Sequence, residues 1–286
     1  MVNKIMGLLA LVLILIGSVS TIAYCAQKDL ECFMESGNMV ISQQNYDCYI
    51  SPKTGLLQLF LIRPDGSRVL VCDSLGIIKL FVMIGGKEQE IFIDDKWETQ
   101  RLILKKQSPE EIITQQIKNY KDEEKKLAFS LITEAHFYKD QPYFDFNATL
   151  TNSNKENSVT FYYICLGATP SGKTNRVTIM DNKAGKIESE SFTPESQPRF
   201  HGALMTEPSS FIYLCDSEKW KVEFSSLDRY PLSYAFISCA NYYIYHLYYT
   251  TSCFNVEKKR NDSFTLLPEE SVSFRVRVTP AVLSAK

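Results

Sequence analysis

Histidine and tryptophan are scarce in this chain, with three and two copies in 286 residues. An excess of one charge is missing too. Lys+Arg 31 against Asp+Glu 33 leaves a net charge of −2, and no block of a single sign stands out. Binding nucleic acid through its phosphates needs a basic face, so the sequence offers no footprint for that class of partner. Eight cysteines are present, but none forms a C-x-x-C pair, and the histidines do not complete a closed zinc ligand set. Nothing in the pattern asks for a metal or a cofactor. The G-x-S-x-G turn of serine hydrolases is absent as well. With Gly 12, Pro 11, 45% hydrophobic and 22% charged residues, the composition excludes a disordered tail, a collagen-like repeat and a polytopic membrane protein.

What is present begins with an address. Lys4 precedes an apolar run over residues 5–16, which Gly17-Ser18-Val19-Ser20 interrupts before Ala23-Tyr24-Cys25-Ala26. A positive start, a short apolar core and small residues after it describe a secretory signal peptide. The competing reading is an uncleaved anchor, because no charge falls between Ile5 and Gln27. Residues 1–25 are therefore expected to be a signal peptide or an N-terminal anchor. The folded part is exported (periplasmic, extracellular or membrane-anchored) and meets a membrane only through an uncleaved N-terminal segment.

From Met39 onward the pattern has period two. Leu57, Leu59 and Leu61 alternate with Gln58, Phe60 and Ile62, and Arg63-Pro64-Asp65-Gly66-Ser67 follows as a tight turn. Short β-branched and aromatic runs continue to the end, divided by Gly, Pro, Asn and Asp. This spacing predicts an all-β fold, a large antiparallel β-sandwich, as one domain over residues 26–286. Ser108-Pro109-Glu110-Glu111 has the form of a helix start. The β-branched Ile112-Ile113-Thr114 behind it favours strand, a polar turn around Asp122-Glu123-Glu124, and strand again. Cys72, Cys165, Cys215 and Cys239 end or interrupt apolar runs, where a thiol acts as a small core residue. Cys32–Cys48 and Cys239–Cys253 are the pairs open to bridging.

Gly167-Ala168-Thr169-Pro170-Ser171-Gly172-Lys173-Thr174 matches the phosphate-binding pattern G-x-x-x-x-G-K-T. That chemistry requires a helix to begin at Gly172, so that its N-terminus faces the anion. Asn175-Arg176-Val177-Thr178-Ile179-Met180 is strand-like instead, so no nucleotide is expected there. Glu134 and His136 share one strand face and could pair as acid and base, or serve as a surface pair. His201 lies with Arg199 in a turn-rich stretch suited to a carboxylate or a sugar hydroxyl. His246 falls in Asn241-Tyr242-Tyr243-Ile244-Tyr245-His246-Leu247-Tyr248-Tyr249. Alternation puts Tyr242, Ile244, His246 and Tyr248 on one face and Tyr243, Tyr245, Leu247 and Tyr249 on the other. Such a tyrosine-lined face suits stacking of sugar rings, or else it packs a core. Asp145, Glu207, Asp216, Glu218 and Asp228 are acids from which a glycosidase pair could be drawn, with no spacing that selects two. Asn147-Ala148-Thr149 and Asn261-Asp262-Ser263 are glycosylation sequons.

The order of segments resembles the galactose mutarotase-like β-supersandwich. Tyr49-Ile50-Ser51-Pro52-Lys53-Thr54-Gly55-Leu56 is similar to its opening, with the Pro64-Asp65-Gly66-Ser67 turn following. Pro142-Tyr143-Phe144-Asp145-Phe146-Asn147-Ala148-Thr149-Leu150-Thr151-Asn152 resembles its middle strand, which runs into an Asn-bearing turn. Phe264-Thr265-Leu266-Leu267-Pro268-Glu269-Glu270-Ser271 resembles its closing L-x-P-G-E turn, here with Glu269 in place of glycine. The family's histidine-bearing segment after the middle strand has no histidine in residues 157–168, so no catalytic residue is carried over. The resemblance implies a carbohydrate-binding or carbohydrate-processing protein with a polysaccharide or oligosaccharide ligand. Candidates for contact are Arg199, His201, Tyr242, Tyr245, His246 and Tyr248, with His201, His246 and Arg199 the candidates for catalysis. The alternative is a non-catalytic cell-envelope protein that binds another protein through its β-sheet surface.

Overall fold

The computed structural model describes residues 29–93, 97–183, 186–193, 200–204, 210–227, 234–240, 243–250, 254–255, 260–261 and 264–283. Among these there are 23 strands and no helix. The first eight are β1 (Glu31–Glu35), β2 (Asn38–Ser42), β3 (Tyr46–Ile50), β4 (Leu57–Ile62), β5 (Arg68–Ile84), β6 (Lys87–Phe92), β7 (Glu98–Thr99) and β8 (Ile103–Gln107). The middle of the chain forms β9 (Glu111–Asp122), β10 (Leu127–Tyr138), β11 (Phe144–Asn152), β12 (Val159–Pro170), β13 (Arg176–Lys183), β14 (Lys186–Phe192), β15 (Phe200–Leu204) and β16 (Ser210–Cys215). The rest are β17 (Trp220–Ser226), β18 (Tyr234–Ala240), β19 (Tyr243–Thr250), β20 (Phe254–Asn255), β21 (Arg260–Asn261), β22 (Phe264–Leu266) and β23 (Ser271–Val282).

Two antiparallel sheets carry the architecture. The eleven-stranded sheet runs β1-β2-β3-β4-β5-β12-β19-β18-β15, with β6 also on β5 and β22 on β12. The ten-stranded sheet runs β14-β13-β16-β17-β23-β11-β10-β9-β7, with β8 also on β9. The period-two pattern explains the packing directly. In β4, Leu57, Leu59 and Leu61 are buried while Gln58, Phe60 and Ile62 are only partly covered. Inward side chains of the two sheets meet in one core, as the layer architecture of a sandwich requires. Aromatic rings cross the gap between them: Tyr46 on β3 lies 5.7 Å from Phe144 on β11, and Phe129 on β10 lies 5.4 Å from Phe161 on β12. Trp220, Tyr213 and Phe224 fill the other end.

The turn after β4 forms as its residues dictate. Gly66 adopts φ 80°, its N–H donates to the Arg63 carbonyl, and Asp65 Oδ1 accepts from the Ser67 N–H at 2.9 Å. The helix-like start at Ser108 also resolves as expected. The Ser108 hydroxyl oxygen accepts from the Glu111 N–H at 3.0 Å, which closes a turn into β9 rather than a helix.

One expectation is corrected. Cys32 and Cys48 are both free thiols. They flank Ile41 from opposite sides in the β1-β2-β3 ladder, so they stand two strand spacings apart. That is roughly 9–10 Å at about 4.8 Å per strand, beyond disulfide reach. Cys253, and so the second candidate pair, lies outside the described residues.

The seventeen residues of β5 are shared between two partners. β4 pairs it up to Leu75, and β6 takes over at Lys79. Between them, residues 76–78 have no strand on that side, and the sheet edge is notched.

Candidate functional site

The tyrosine-rich segment is strand β19, held near the middle of the larger sheet between β12 and β18. Register decides which of its positions belong together. His246 stands opposite Ser238, which stands opposite Phe200. His201 stands opposite Ile237, which stands opposite Leu247. These are adjacent rows of one ladder, and adjacent rows alternate between the two faces of a sheet. The two histidines are therefore not brought to one face, and the expected grouping divides. Tyr245 falls at a bulge, where β18 steps from Ser238 to Cys239 while β19 steps from His246 to Ile244. Arg199 and Tyr242 lie outside the described residues.

Tyr248 belongs to a row of a distinctive kind: Gly76, Gly167, Tyr248, Phe236 and Gly202 follow one another across β5, β12, β19, β18 and β15. Two of these glycines are required by space. A Cβ on Gly76 would come 2.6 Å from Leu56 Cδ2, and one on Gly167 would come 2.8 Å from Ile78 Cδ1. β12 is buried on both faces here, since Cys165 and Gly167 are covered as fully as the inward Leu166 and Ala168.

The G-x-x-x-x-G-K-T segment ends β12 and leads into strand β13, where a phosphate site would need a helix. Lys173 pairs with Glu218, and the buried Thr174 hydroxyl has no hydrogen-bond partner among the described residues.

His136 lies between two carboxylates, 3.3 Å from Glu134 Oε2 and 3.5 Å from Glu111 Oε1. Each carboxylate also holds a lysine: Lys105 on Glu134 at 2.5 Å and Lys106 on Glu111 at 2.6 Å. The Lys106 hydrogen bond holds the Glu111 carboxyl below the usual carboxylate range. Burial works to raise Glu134, but hydrogen bonds from Lys105, Gln115 and His136 outweigh it. Both acids are thereby kept ionised, which suits a fixed charge network better than proton donation.

The other described acids are engaged likewise. Asp145 accepts from Arg277 Nε at 2.8 Å and from Nη2 at 3.1 Å, with the guanidinium 3.7 Å from the Tyr143 ring centre. Tyr138 donates to the same carboxylate, and desolvation together with that negative charge pushes its pKa up to about 12. Asp216 holds Arg176, and Glu218 holds Lys173. Glu207 and Asp228 lie outside the described residues. Asn147 stands within β11 with its Oδ1 buried, an unsuitable position for a glycan.

A cavity absent from the sequence reading occupies the notch in the β5 edge. It measures about 400 Å³ and is walled by Leu56, Ile77, Ile78, Ile93 and Trp97, with Thr54, Thr99 and Lys118 as polar lining. Trp97 is fixed, since its indole N–H donates to the Phe92 carbonyl and its ring lies 5.1 Å from Tyr120. Lys118 reaches the cavity from the inward face of β9 in the opposite sheet. It is 8% exposed, and its ammonium donates to the Thr54 carbonyl at 2.5 Å. Desolvation lowers its pKa to about 8. The only signal in the sequence was the period-two series Ile112, Thr114, Gln116, Lys118 and Tyr120, which hydrophobicity alone does not mark as an inward face.

No family profile matches the chain, and no curated protein matches it by sequence. Solved structures do match in shape. A galactose mutarotase-like protein from Clostridium acetobutylicum superposes with a TM-score of 0.57 at 13% identity, over 89% of this chain and 99% of that one. A galactose mutarotase-like protein from Lactobacillus casei gives 0.58 at 11% identity, over 86% and 100%. A putative aldose 1-epimerase from Klebsiella pneumoniae gives 0.57 at 11%, over 89% and 82%. Two large antiparallel sheets, with no helix among the described residues, thus form a galactose mutarotase-like all-β sandwich fold.

Proposed function

We propose that this is an exported protein that binds or processes a carbohydrate on the face of the larger sheet that carries the His246 and Tyr248 positions. The observation behind this reading is the register that sets Tyr248 and His246 on one face of β19, opposite the face that carries Leu166 and Ala168 into the core. Leu56 and Ile78 cover Gly76 and Gly167 in the row that holds Tyr248, and His246 lies two residues from Tyr248 along the same strand. An aromatic and a histidine position on one sheet face suit the apolar face and the hydroxyls of a sugar ring. The fold neighbours named as mutarotase-like and as an aldose 1-epimerase support the same ligand class. Export rests on the first 25 residues, and the mass of the protein's N-terminus recovered from an expressing cell tests it directly.

The decisive measurement is binding of the protein without residues 1–25 to a neutral and uronic-acid glycan array, with polarimetry of aldose anomers to detect turnover. Tyr248→Ala and His246→Ala should each weaken binding tenfold or more, while His201→Ala, in the adjacent row, should change it less than threefold. Absence of binding to every glycan, or binding indifferent to both β19 variants, would overturn the reading.

One observation favours the second reading, protein binding through a sheet. β1 is the edge of the larger sheet, and it exposes Phe33 (39%) and Met34 (59%). Co-purification of a partner lost on Met34→Lys, with no glycan bound, would select it.

A further inference from the structure

Lys118 is a buried ammonium with one neutral acceptor. An ammonium has three donors, and the Thr54 carbonyl takes one of them. No carboxylate lies within ion-pair distance of it among the described residues. Leaving a charge so placed is costly unless something anionic completes it. The space beside it is large enough for a guest, since ligand cavities begin at about 300 Å³. Its walls are mostly apolar and rigid: Ile77 and Trp97 are buried, and Trp97 is held at both its ring face and its N–H. Among the described residues the other charged group at the cavity is Lys53, which is also positive.

We propose that the notch binds a small organic monocarboxylate, with the carboxylate on Lys118 and an apolar body against Trp97, Ile77 and Ile78. One ammonium backed by a carbonyl matches a single negative charge. A neutral polyol would leave the Lys118 charge unpaired and set its hydroxyls against Leu56, Ile77, Ile78 and Trp97. This site opens on the β4 and β6 side of β5, and β12 separates it from β19, while its walls Leu56 and Ile78 also cover Gly76 and Gly167.

The test uses the protein without residues 1–25 and a set of probes: benzoate, 4-phenylbutyrate and octanoate, each beside its primary amide, titrated by calorimetry at pH 7. At least one acid should bind with a submillimolar Kd and its amide at least tenfold more weakly. Lys118→Met should abolish acid binding while folding normally, because it removes an uncompensated buried charge. Ile78→Trp, which fills the cavity and leaves the lysine in place, should also abolish it. Acid affinity should fall as pH rises above about 8, where Lys118 loses its proton. The proposal fails if no acid binds, if acid and amide bind alike, or if Lys118→Met or Ile78→Trp binds as the parent does. Tyr248→Ala should leave acid binding unchanged, so failure of the carbohydrate reading and failure of this one are read separately.

Discussion

β9 and β10 lie side by side in one sheet, paired residue for residue, yet they put opposite chemistry into the same core. β10 turns Phe129, Leu131, Ala135 and Phe137 inward. Its partner offers Tyr120, Lys118, Thr114 and Ile112 at the matching positions, with Gln116 between them. The two sets lie on neighbouring strands, but β9 sits under the irregular turn at residues 51–55. Gln116 Nε2 donates to the Pro52 carbonyl at 3.1 Å, and Lys118 donates to Thr54. Inward side chains of β10 and β11 stabilise by removing apolar area from water. Those of β9 hold a turn in place and leave a cavity beside it. Where a sandwich interior stops being sealed by a second strand, side-chain polarity changes before backbone geometry does.

The largest contrast should appear in stability. Phe146→Ala on β11 removes a fully buried ring, and denaturant unfolding should show a loss of about 3–5 kcal/mol. An unchanged midpoint would break the claim that this side carries the fold.

A smaller effect is expected on the turn. Gly55 has φ 69°, and a Cβ there would sit 2.0 Å from Gln116 Oε1. Gly55→Ala should cost about 1–3 kcal/mol through backbone strain and loss of the Gln116 anchor. It should also reduce carboxylate binding in the notch.

The third expectation is a pH effect. The folded-state pKa of Lys118 lies near 8, below its ordinary value of 10.5. Between those values the unfolded chain binds more protons, so this residue's contribution to stability rises with pH and is least favourable below about pH 8. Compared with Lys118→Met, the unaltered protein should gain thermal stability from pH 7.5 to pH 10. A flat difference would show that the ammonium is not desolvated.

The smallest expected effect lies in the closing turn before β23 and serves as the control. Glu269 takes φ 64°, a left-handed position that disfavours side chains. Glu269→Gly should stabilise by about 0.5–1 kcal/mol in the same unfolding assay, with ligand binding unchanged. A loss of stability there would mean that the glutamate makes a compensating contact.

Much of the fold could be read in the sequence because alternation is a local signal. The leucines of β4, the Pro64-to-Ser67 turn, the β9–β10 hairpin and the closing turn all follow from residues adjacent in the chain. The departure at Glu269 was also readable, although its positive φ was not. What escaped depends on long-range register. That His201 and His246 stand in adjacent rows, and so on opposite faces, follows from the pairing of β15, β18 and β19, which no local pattern encodes. Thr114, Gln116 and Lys118 were hidden because Ile113 and Ile117 mark the opposite face of β9 as the apolar one. Nothing local in the sequence shows that Ile41 stands between Cys32 and Cys48.

Asn152 ends β11 with its side-chain amide on the carbonyls of Asn157, Leu266 and Leu267, and its backbone N–H donates to Glu270. It thereby seats the turn from which β23 starts. β23, the last strand in chain order, occupies the centre of the ten-stranded sheet between β17 and β11. A ribosome making this protein delivers the keystone after nearly every other stone, so β11 and β17 each keep an unpaired edge until residues 271–282 emerge. The strand that closes the centre of this sheet is thus made after both of the strands it joins.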